Sequence, residues 1–336
     1  MKNNQIRVAI IGGNYGYNVI YPAFNCIKNV RIVGLSFTNK KKMNAYQLPI
    51  DLINFFSSWK KMLSEVRPDL VAVAVPPKYQ FAILKYLIEK KIPFFAEKPL
   101  TIDLKKSKIL LEMTKKTNLP AVIDYNFLRI PIFKEFKGLI KSIKSNDVIK
   151  YKFKWYLNSS ANKDQNLSWK NNKDKGGGVL YNFGSHIFSI CIFFFGDQIS
   201  IDIPKKNYNK SHFNQRIKIN IKHSKFISGS IDIDTNNIKN NNFSIRVKTK
   251  KKNFNLINNT KDYHNNFYIF ESNKNQILSK QKKIMINRDS RFYPTRKIAK
   301  ELVDWIRGGK KSNLNILFAS KVDKMIHETN EKIVRL

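Results

Sequence analysis

Arg7 to Phe24 reads RVAIIGGNYGYNVIYPAF, and no other stretch constrains the fold as tightly. The apolar run Val8-Ala9-Ile10-Ile11 is long enough for one buried parallel strand. It ends in Gly12-Gly13-Asn14-Tyr15-Gly16, and a helix-like pattern follows. Strand, glycine-rich turn and helix start, in that order, let main-chain N–H groups reach a pyrophosphate, with the partly positive helix N-terminus behind them. The usual pattern is G-x-G-x-x-G; here Asn14 stands at the second glycine and Gly16 comes one place early. Asn is the least costly non-glycine residue in a left-handed conformation, so the turn survives the replacement. Dinucleotide binding by Gly12, Gly13, Asn14, Tyr15 and Gly16 is the first expectation; an ordinary strand-to-helix turn is the alternative.

The segments that follow keep alternating. Residues 30–35 read as a strand, and residues 52–66 as a helical stretch carrying Trp59, broken by Pro68-Asp69. Residues 70–75 are a continuous apolar run, as in a parallel strand buried on both faces, and Pro76-Pro77 ends it. Residues 81–89 form an amphipathic helix. Residues 92–96 are a strand running into Glu97-Lys98-Pro99, residues 104–115 a helix, and residues 121–124 a further strand. This spacing indicates an α/β domain with a doubly wound parallel sheet, a Rossmann domain, over residues 1–124. An acidic residue about 20 positions past the glycine turn would hold the ribose hydroxyls and favour NAD. None is present. Ser36, Thr38 and Asn39, followed by Lys40 to Lys42, suit a 2′-phosphate and favour NADP over NAD, with a solvated lysine turn as the plainer alternative.

Beyond Phe127 the pattern changes. Residues 131–143 read as a helix. Residues 148–157 alternate apolar and polar side chains, and residues 217–221, 226–233, 243–247 and 267–270 continue as strands. The expectation is a C-terminal α+β domain over residues 125–336 with an open, mainly antiparallel sheet. Residues 299–306 and 316–334 look like closing helices, free to pack back on the first domain.

Composition excludes several classes. A chain of 336 residues suggests two domains, and 42% hydrophobic residues is ordinary for a globular protein. MKNNQ leads straight into the first strand, and VAII is too short for a signal-peptide core. The mainly apolar run 187–195 falls short of the roughly 20 residues a membrane helix needs, so a cytoplasmic protein without membrane association is expected. Cys26 and Cys191 are too few for a disulfide framework or a thiolate metal site. The remaining histidines, His212, His223, His264 and His327, are scattered, and no metal is expected. A net charge of +38 raises the question of nucleic acid. The lysines are spread along the whole chain without one basic arm, so no nucleic-acid partner is expected. The field can still draw anionic substrates such as nucleotide-linked sugars or NADP.

One set of short pieces, in order, carries a resemblance. It comprises Gly12 to Gly16 with Val19 and Pro22-Ala23-Phe24, Val75-Pro76-Pro77, and Glu97-Lys98-Pro99-Leu100. Tyr125-Asn126-Phe127 with Arg129, Trp169, and Gly176-Gly177-Gly178-Val179-Leu180 leading to Asn182, Gly184 and His186 complete it. Together they resemble the glucose–fructose oxidoreductase / inositol dehydrogenase / rhizopine-catabolism family of NAD(P)-dependent oxidoreductases, over nearly the full length. The resemblance implies hydride transfer between nicotinamide and a secondary alcohol or ketone of a sugar, cyclitol or nucleotide-linked sugar. It implies that Lys98, at the end of a strand, donates to the substrate oxygen, and that Pro76, Pro77, Glu97 and Lys98 join the cofactor-binding set. It implies that His186 is the acid/base, often with an aspartate four residues earlier; Asn182 stands there and cannot take a proton. Ser189 stands where another aspartate is often found. Tyr125, Asn126, Arg129, Trp169 and Asn182 become candidates to line a substrate pocket with Lys98 and His186. The resemblance also implies that the exposed sheet face serves contacts in a homodimer or homotetramer. Asn182 keeps alive a non-catalytic dinucleotide or sugar sensor on the same fold, and a redox-neutral enzyme with tightly held NAD(P) is a third possibility.

Overall fold

The structure, a computed structural model, describes residues 5–37, 54–144, 147–159, 170, 172–204, 215–237, 241–282 and 289–335. Thr38, Asn39, Lys40 to Lys42 and Trp169 lie outside the described residues. The chain forms two compact units. The first comprises residues 1–126 and 291–320, and the second residues 127–290 and 321–336.

In the first unit the strands are β1 (Ile6–Ile11), β2 (Val30–Ser36), β3 (Asn54–Phe56), β4 (Leu70–Val73), β5 (Phe94–Ala96) and β6 (Ala121–Ile123). They pair in the order β3-β2-β1-β4-β5-β6, every pair parallel. All four residues of β4 are buried, which is what a continuous Leu-Val-Ala-Val run requires in a sheet covered on both faces. The order runs outward from β1 in one direction and from β4 in the other. The β1/β4 boundary is therefore the switch point at which open α/β sheets take their ligands.

The helices of this unit follow from local rules. Pro77 occupies the first turn of α3 (Pro77–Glu89), where its missing N–H costs nothing. Asp103 caps α4 (Leu104–Thr117), accepting from the N–H groups of Lys105 at 2.7 Å and Lys106 at 3.4 Å. Residues 52–66 depart from the expected single helical stretch. Asn54–Phe56 forms edge strand β3, and only Trp59–Val66 is helical (α2), with Ser58 as N-cap. Parallel pairing of Asn54, Phe55 and Phe56 with Gly34, Leu35 and Ser36 overrides the helical pattern.

The second unit holds helix α5 (Pro131–Lys141), strand β7 (Ile149–Tyr156), helix α6 (Ser185–Phe195), and strands β8 (Ser200–Asp202), β9 (Arg216–Lys222) and β10 (Ile227–Asp234). Strands β11 (Asn242–Lys248), β12 (Asn253–Asn258), β13 (Tyr268–Glu271) and β14 (Gln276–Lys280) follow. The sheet order is β14-β13-β12-β11-β7-β10-β9-β8. All pairs are antiparallel but one: β7 and β10, central in the sheet, run parallel. Short β8, polar β12 and exposed β14 carry too little alternation to be legible beforehand. Tyr151, Phe153, Trp155, Ile231, Ile233, Phe243 and Ile245 alternate onto the buried face, and Phe127, Phe133 and Phe267 pack with Phe243 into an aromatic core. Lys150 and Lys152 alternate onto the opposite, exposed face.

Residues 292–306 form α7 and residues 316–334 form α8. The segment 291–320 completes the first unit. The N–H of Ile123 donates to the Leu314 carbonyl at 2.8 Å, and Val122 bridges to Asn315, so this segment covers the β6 edge. No helix among the described residues is long and apolar enough to cross a membrane.

Candidate active site

The glycine turn sits at the switch point. Gly12 has φ +120°, and a Cβ there would run into the carbonyl of Ala74, the residue after β4. Only glycine satisfies both conditions. Among the described residues, a Cβ on Gly13 would meet nothing nearer than Phe37, at 3.8 Å, so they leave the space above this glycine open. Asn14 does not adopt the left-handed conformation expected of it. It is absent from the positive-φ positions and already belongs to the helical turn, its Oδ1 accepting from Asn18 Nδ2 at 2.9 Å. The turn needs one permissive residue, Gly12, and the second glycine can therefore be lost. Gly16–Ile20 is a wide π-turn in which the N–H of Tyr21 reaches Gly16, followed by the short helix α1 (Tyr21–Asn25). Pro22 cannot donate and its ring crowds the carbonyl four residues back, and the widened turn accommodates it. A strand end, an open glycine and a helix start fit a dinucleotide pyrophosphate.

Tyr15 does not face outward with this turn. Its hydroxyl donates to Asp124 Oδ2 at 2.7 Å and lies 3.1 Å from Thr295 Oγ1. Thr295 in turn donates to Asp124 Oδ2 at 3.0 Å, and Asn126 Nδ2 donates to the Tyr15 hydroxyl at 3.2 Å. The Arg291 guanidinium covers the Tyr15 ring at 4.8 Å. Asp124 is fully buried, and its charge acts on the carboxyl of half-buried Glu97. Burial, then the neighbouring Asp124, hold Glu97 well above the usual carboxylate range, while Lys98 and Arg291 pull it back only in part. Burial also raises Asp124, against the opposing donors Tyr15, Glu97 and Thr295. Burial and the two carboxyls push the Tyr15 hydroxyl well up, so it remains a donor.

Lys98 lies just past the end of β5 on a loop fixed by a residue the sequence did not single out. Gln80, 1% exposed on α3, points its Nε2 at the carbonyl oxygens of Glu97 at 2.7 Å, Pro99 at 2.9 Å and Leu100 at 3.1 Å. Its spacing from Pro77 on an amphipathic helix was visible; its target, a backbone, was not.

In the second unit His186 lies at the start of α6, half-buried. Its ring meets Phe127 edge-on at 5.1 Å and Trp155 at 6.2 Å. Trp155, 3% exposed, has an Nε1–H with no acceptor among the described residues. Asn182, in the π-turn before α6, donates through Nδ2 to the Lys170 carbonyl at 3.1 Å. Arg129 reaches the Leu128 carbonyl at 3.3 Å, and Ser189 donates to the His186 carbonyl at 2.7 Å.

Three expectations need correction. Tyr125 is fully buried against Phe318, at 5.4 Å, and offers no face to a sugar. Asn126 is buried, with its amide committed to Tyr15. Ser36 is buried at the end of β2 and contributes its carbonyl to Gly12 N at 2.8 Å. Asn126 follows β6 closely, so its amide serves the buried carboxylate network through Tyr15. Pro76 and Pro77 lie at the switch point, Pro77 buried. No group of three or more His, Cys, Asp or Glu among the described residues could hold a metal ion.

Comparison with known proteins agrees with this geometry. The model of an oxidoreductase family with an NAD-binding Rossmann fold matches residues 6–125, and that of the C-terminal alpha/beta domain of the same family matches residues 137–325. An uncharacterized oxidoreductase of Synechocystis, sll0816, is 22% identical over 200 residues, 60% of this chain and 54% of its own length. The chain spans about half the length of the curated relatives it matches. The WlbA dehydrogenase of Bordetella pertussis, solved with NADH and UDP-GlcNAcA, superposes with a TM-score of 0.79 at 12% identity, covering 100% of this chain and 97% of that one. A levoglucosan dehydrogenase solved with NADH and levoglucosan gives a TM-score of 0.79 at 14% identity, covering 98% and 97%. With both family models matched in order along one polypeptide, the chain belongs to the Gfo/Idh/MocA oxidoreductase family, with an NAD-binding Rossmann domain and the family's C-terminal alpha/beta domain.

Proposed function

We propose that this protein transfers a hydride between NAD(P) and a secondary alcohol or ketone of a sugar, cyclitol or nucleotide-linked sugar. The observation that carries the reading is the placement of Lys98. It follows β5 at the ligand-binding end of the sheet, on a loop clamped by Gln80, in the unit that carries the open glycine turn. When bound, the nicotinamide supplies the carbon that accepts or gives up the hydride. The chain supplies the rest. The Gly12–Gly13 turn takes the pyrophosphate. The Lys98 ammonium donates to the substrate oxygen and stabilises the charge that develops there. His186 takes the hydroxyl proton in the oxidising direction and returns it in the reducing one. Arg129, Asn182 and Trp169 are the remaining proposed substrate contacts. Relatives of this fold solved with levoglucosan and with UDP-GlcNAcA support the substrate class.

NADP is favoured over NAD, because no acidic residue follows β2 and Thr38, Asn39 and Lys40 to Lys42 do. The working form is a homodimer or homotetramer in the cytoplasm. The exposed face of the eight-stranded sheet supports the assembly. It holds a recess of about 390 Å³ lined by Lys150, Asp202, Asn220, Lys222 and Ser228 among others, and the Arg216–Asp232 pair at 3.3 Å puts both signs of charge on it. Sedimentation tests that assembly.

The decisive experiment titrates NADPH and NADH fluorescence and then assays turnover on a panel of sugars, cyclitols and nucleotide sugars. Lys98→Ala is expected to lose about 10²–10³ in kcat, with cofactor affinity nearly unchanged. Unchanged turnover in that variant overturns the mechanism. Asn182, whose amide is tied to Lys170, favours one rival, a dinucleotide sensor. Cofactor binding without turnover on any member of the panel would select it.

A further inference from the structure

The strand register of the second unit lines up cations on the exposed face of its sheet. Lys248 of β11 stands opposite Lys150 of β7, and Lys150 opposite Ser228 of β10. Ser228 stands opposite Lys222 of β9, and Lys222 opposite Ser200 of β8. Neighbouring strands lie about 4.8 Å apart, so Lys150 and Lys222 flank Ser228 at about 10 Å from each other. In the next row on this face Arg246 stands opposite Lys152. Like charges directly opposite one another destabilise a sheet, and here two such pairs adjoin. The acids of the face are engaged elsewhere. Asp232 and Asp234 pair with Arg216 at 3.3 and 3.9 Å, and Tyr156 donates to Asp232 at 2.7 Å. Burial, then Lys152 and Arg246, lower the pKa of Lys154, against Asp232, which raises it. The recess of about 390 Å³ opens within this cationic field, lined by Lys150, Lys222, Ser200, Ser228 and Ser230, with Asp202 at its edge on β8.

We propose that this recess binds a free multivalent oxyanion of the phosphate class between Lys150 and Lys222, and that the bound anion lets two copies of the chain meet across this sheet face. Two ammonium groups and the serine hydroxyls supply donors on several sides of the recess, and an oxyanion supplies acceptors and the missing negative charge. Two copies brought together without it would set their surplus cations against one another. Serine and lysine alternate across the strands, so the hydroxyls separate the two ammonium groups and leave room for the anion between them. The coupling to assembly rests on the homo-oligomer proposed above; the anion site does not.

The test compares inorganic phosphate with chloride on the full chain at equal ionic strength, so that general screening is the same in both. Excess NADPH keeps the Gly12–Gly13 turn from contributing. Calorimetric titration should find phosphate binding to the wild type, weakened about tenfold or more in Lys150→Gln/Lys222→Gln. The control Lys105→Gln/Lys108→Gln removes the same charge from exposed positions on α4 and should bind as the wild type does. Sedimentation equilibrium should find wild-type self-association about tenfold stronger in phosphate than in chloride, and equal in the two salts for Lys150→Gln/Lys222→Gln. Phosphate binding no stronger in the wild type than in Lys150→Gln/Lys222→Gln, or an equal loss in the control, overturns the anion site. Wild-type association that is equal in the two salts overturns the coupling. A wild type that stays monomeric at every concentration in both salts overturns the coupling and the proposed homo-oligomer with it, while calorimetry on that monomer still decides the site.

Discussion

The Nε2 amide of Gln80 donates to the Glu97 carbonyl at 2.7 Å, and the same nitrogen lies 2.9 Å from the Pro99 carbonyl. One buried side chain thus holds the backbone on both sides of Lys98. Gln80→Ala strands carbonyls that are shielded from water, and should cost about 2–3 kcal/mol in urea unfolding. It should also lower kcat/KM while leaving the cofactor dissociation constant near the wild-type value. Gln80→Glu should be worse at neutral pH, since it sets an anion against carbonyl oxygens.

Gly12 and Gly13 separate fold from function. Gly12→Ala forces a side chain into the Ala74 carbonyl at φ +120°, and should destabilise by more than about 2 kcal/mol. Among the described residues Gly13→Ala meets only Phe37, at 3.8 Å, so its stability should stay within about 0.5 kcal/mol of wild type. The methyl would instead occupy the room proposed for the pyrophosphate. Fluorescence titration should find cofactor affinity weakened at least tenfold in a variant whose thermal midpoint has hardly moved.

His223 makes the second unit sensitive to acid. Its Nδ1 faces the Gly196 carbonyl at 2.9 Å, so Nδ1 carries the hydrogen and Nε2 accepts from the Tyr151 hydroxyl at 2.8 Å. Burial lowers its pKa, against the Gly196 and Asp197 contacts that raise it. Below the unfolded histidine value of about 6.5 the unfolded chain binds the extra proton, so stability falls as pH drops from there towards the depressed folded value. His223→Gln should flatten that decline in urea titrations at pH 7 and pH 5. Tyr151→Phe should cost about 1–2 kcal/mol at neutral pH.

Two glycines of the second unit should respond with opposite signs. A Cβ on Gly229 would strike the Tyr151 ring, which is stacked on Phe195 at 4.1 Å and cannot retreat. Gly229→Ala should cost about 1–3 kcal/mol. Gly138, on the exposed side of α5, has nothing among the described residues within 4 Å, so Gly138→Ala should stabilise by about 0.5–1 kcal/mol. Thermal melts of the pair check both.

What the sequence disclosed follows from the range over which its forces act. Val8 to Ile11 and Leu70 to Val73 were readable because a strand buried on both faces must be apolar throughout. Lys98 and His186 were singled out by neighbours in the chain, Pro99 and the glycines before Leu180. Asn54 to Phe56 misled because nothing local favours a strand there; its partner is β2, some 20 residues away. Tyr125 and Asn126 misled for a related reason. The Asn126 amide suits a sugar as well as it suits Tyr15, the Tyr125 ring a sugar face as well as Phe318, and only the tertiary structure decides which they meet. Gln80 and Thr295 were invisible because their partners are a backbone and a carboxylate brought close by folding.

The return of residues 291–320 to the first unit reverses the usual order of synthesis and folding. The β6 edge waits for Leu314, and Asp124 waits for Thr295, until the whole of residues 127–290 has been made. At ribosomal rates that delay lasts roughly 10–30 s, during which the nascent dinucleotide-binding unit has an open sheet edge and an incompletely paired buried acid. The second unit, started later, can close on most of its own strands first. A ribosome-bound fragment ending near residue 126 should consequently remain protease-sensitive and gain protection only once α7 has emerged from the exit tunnel.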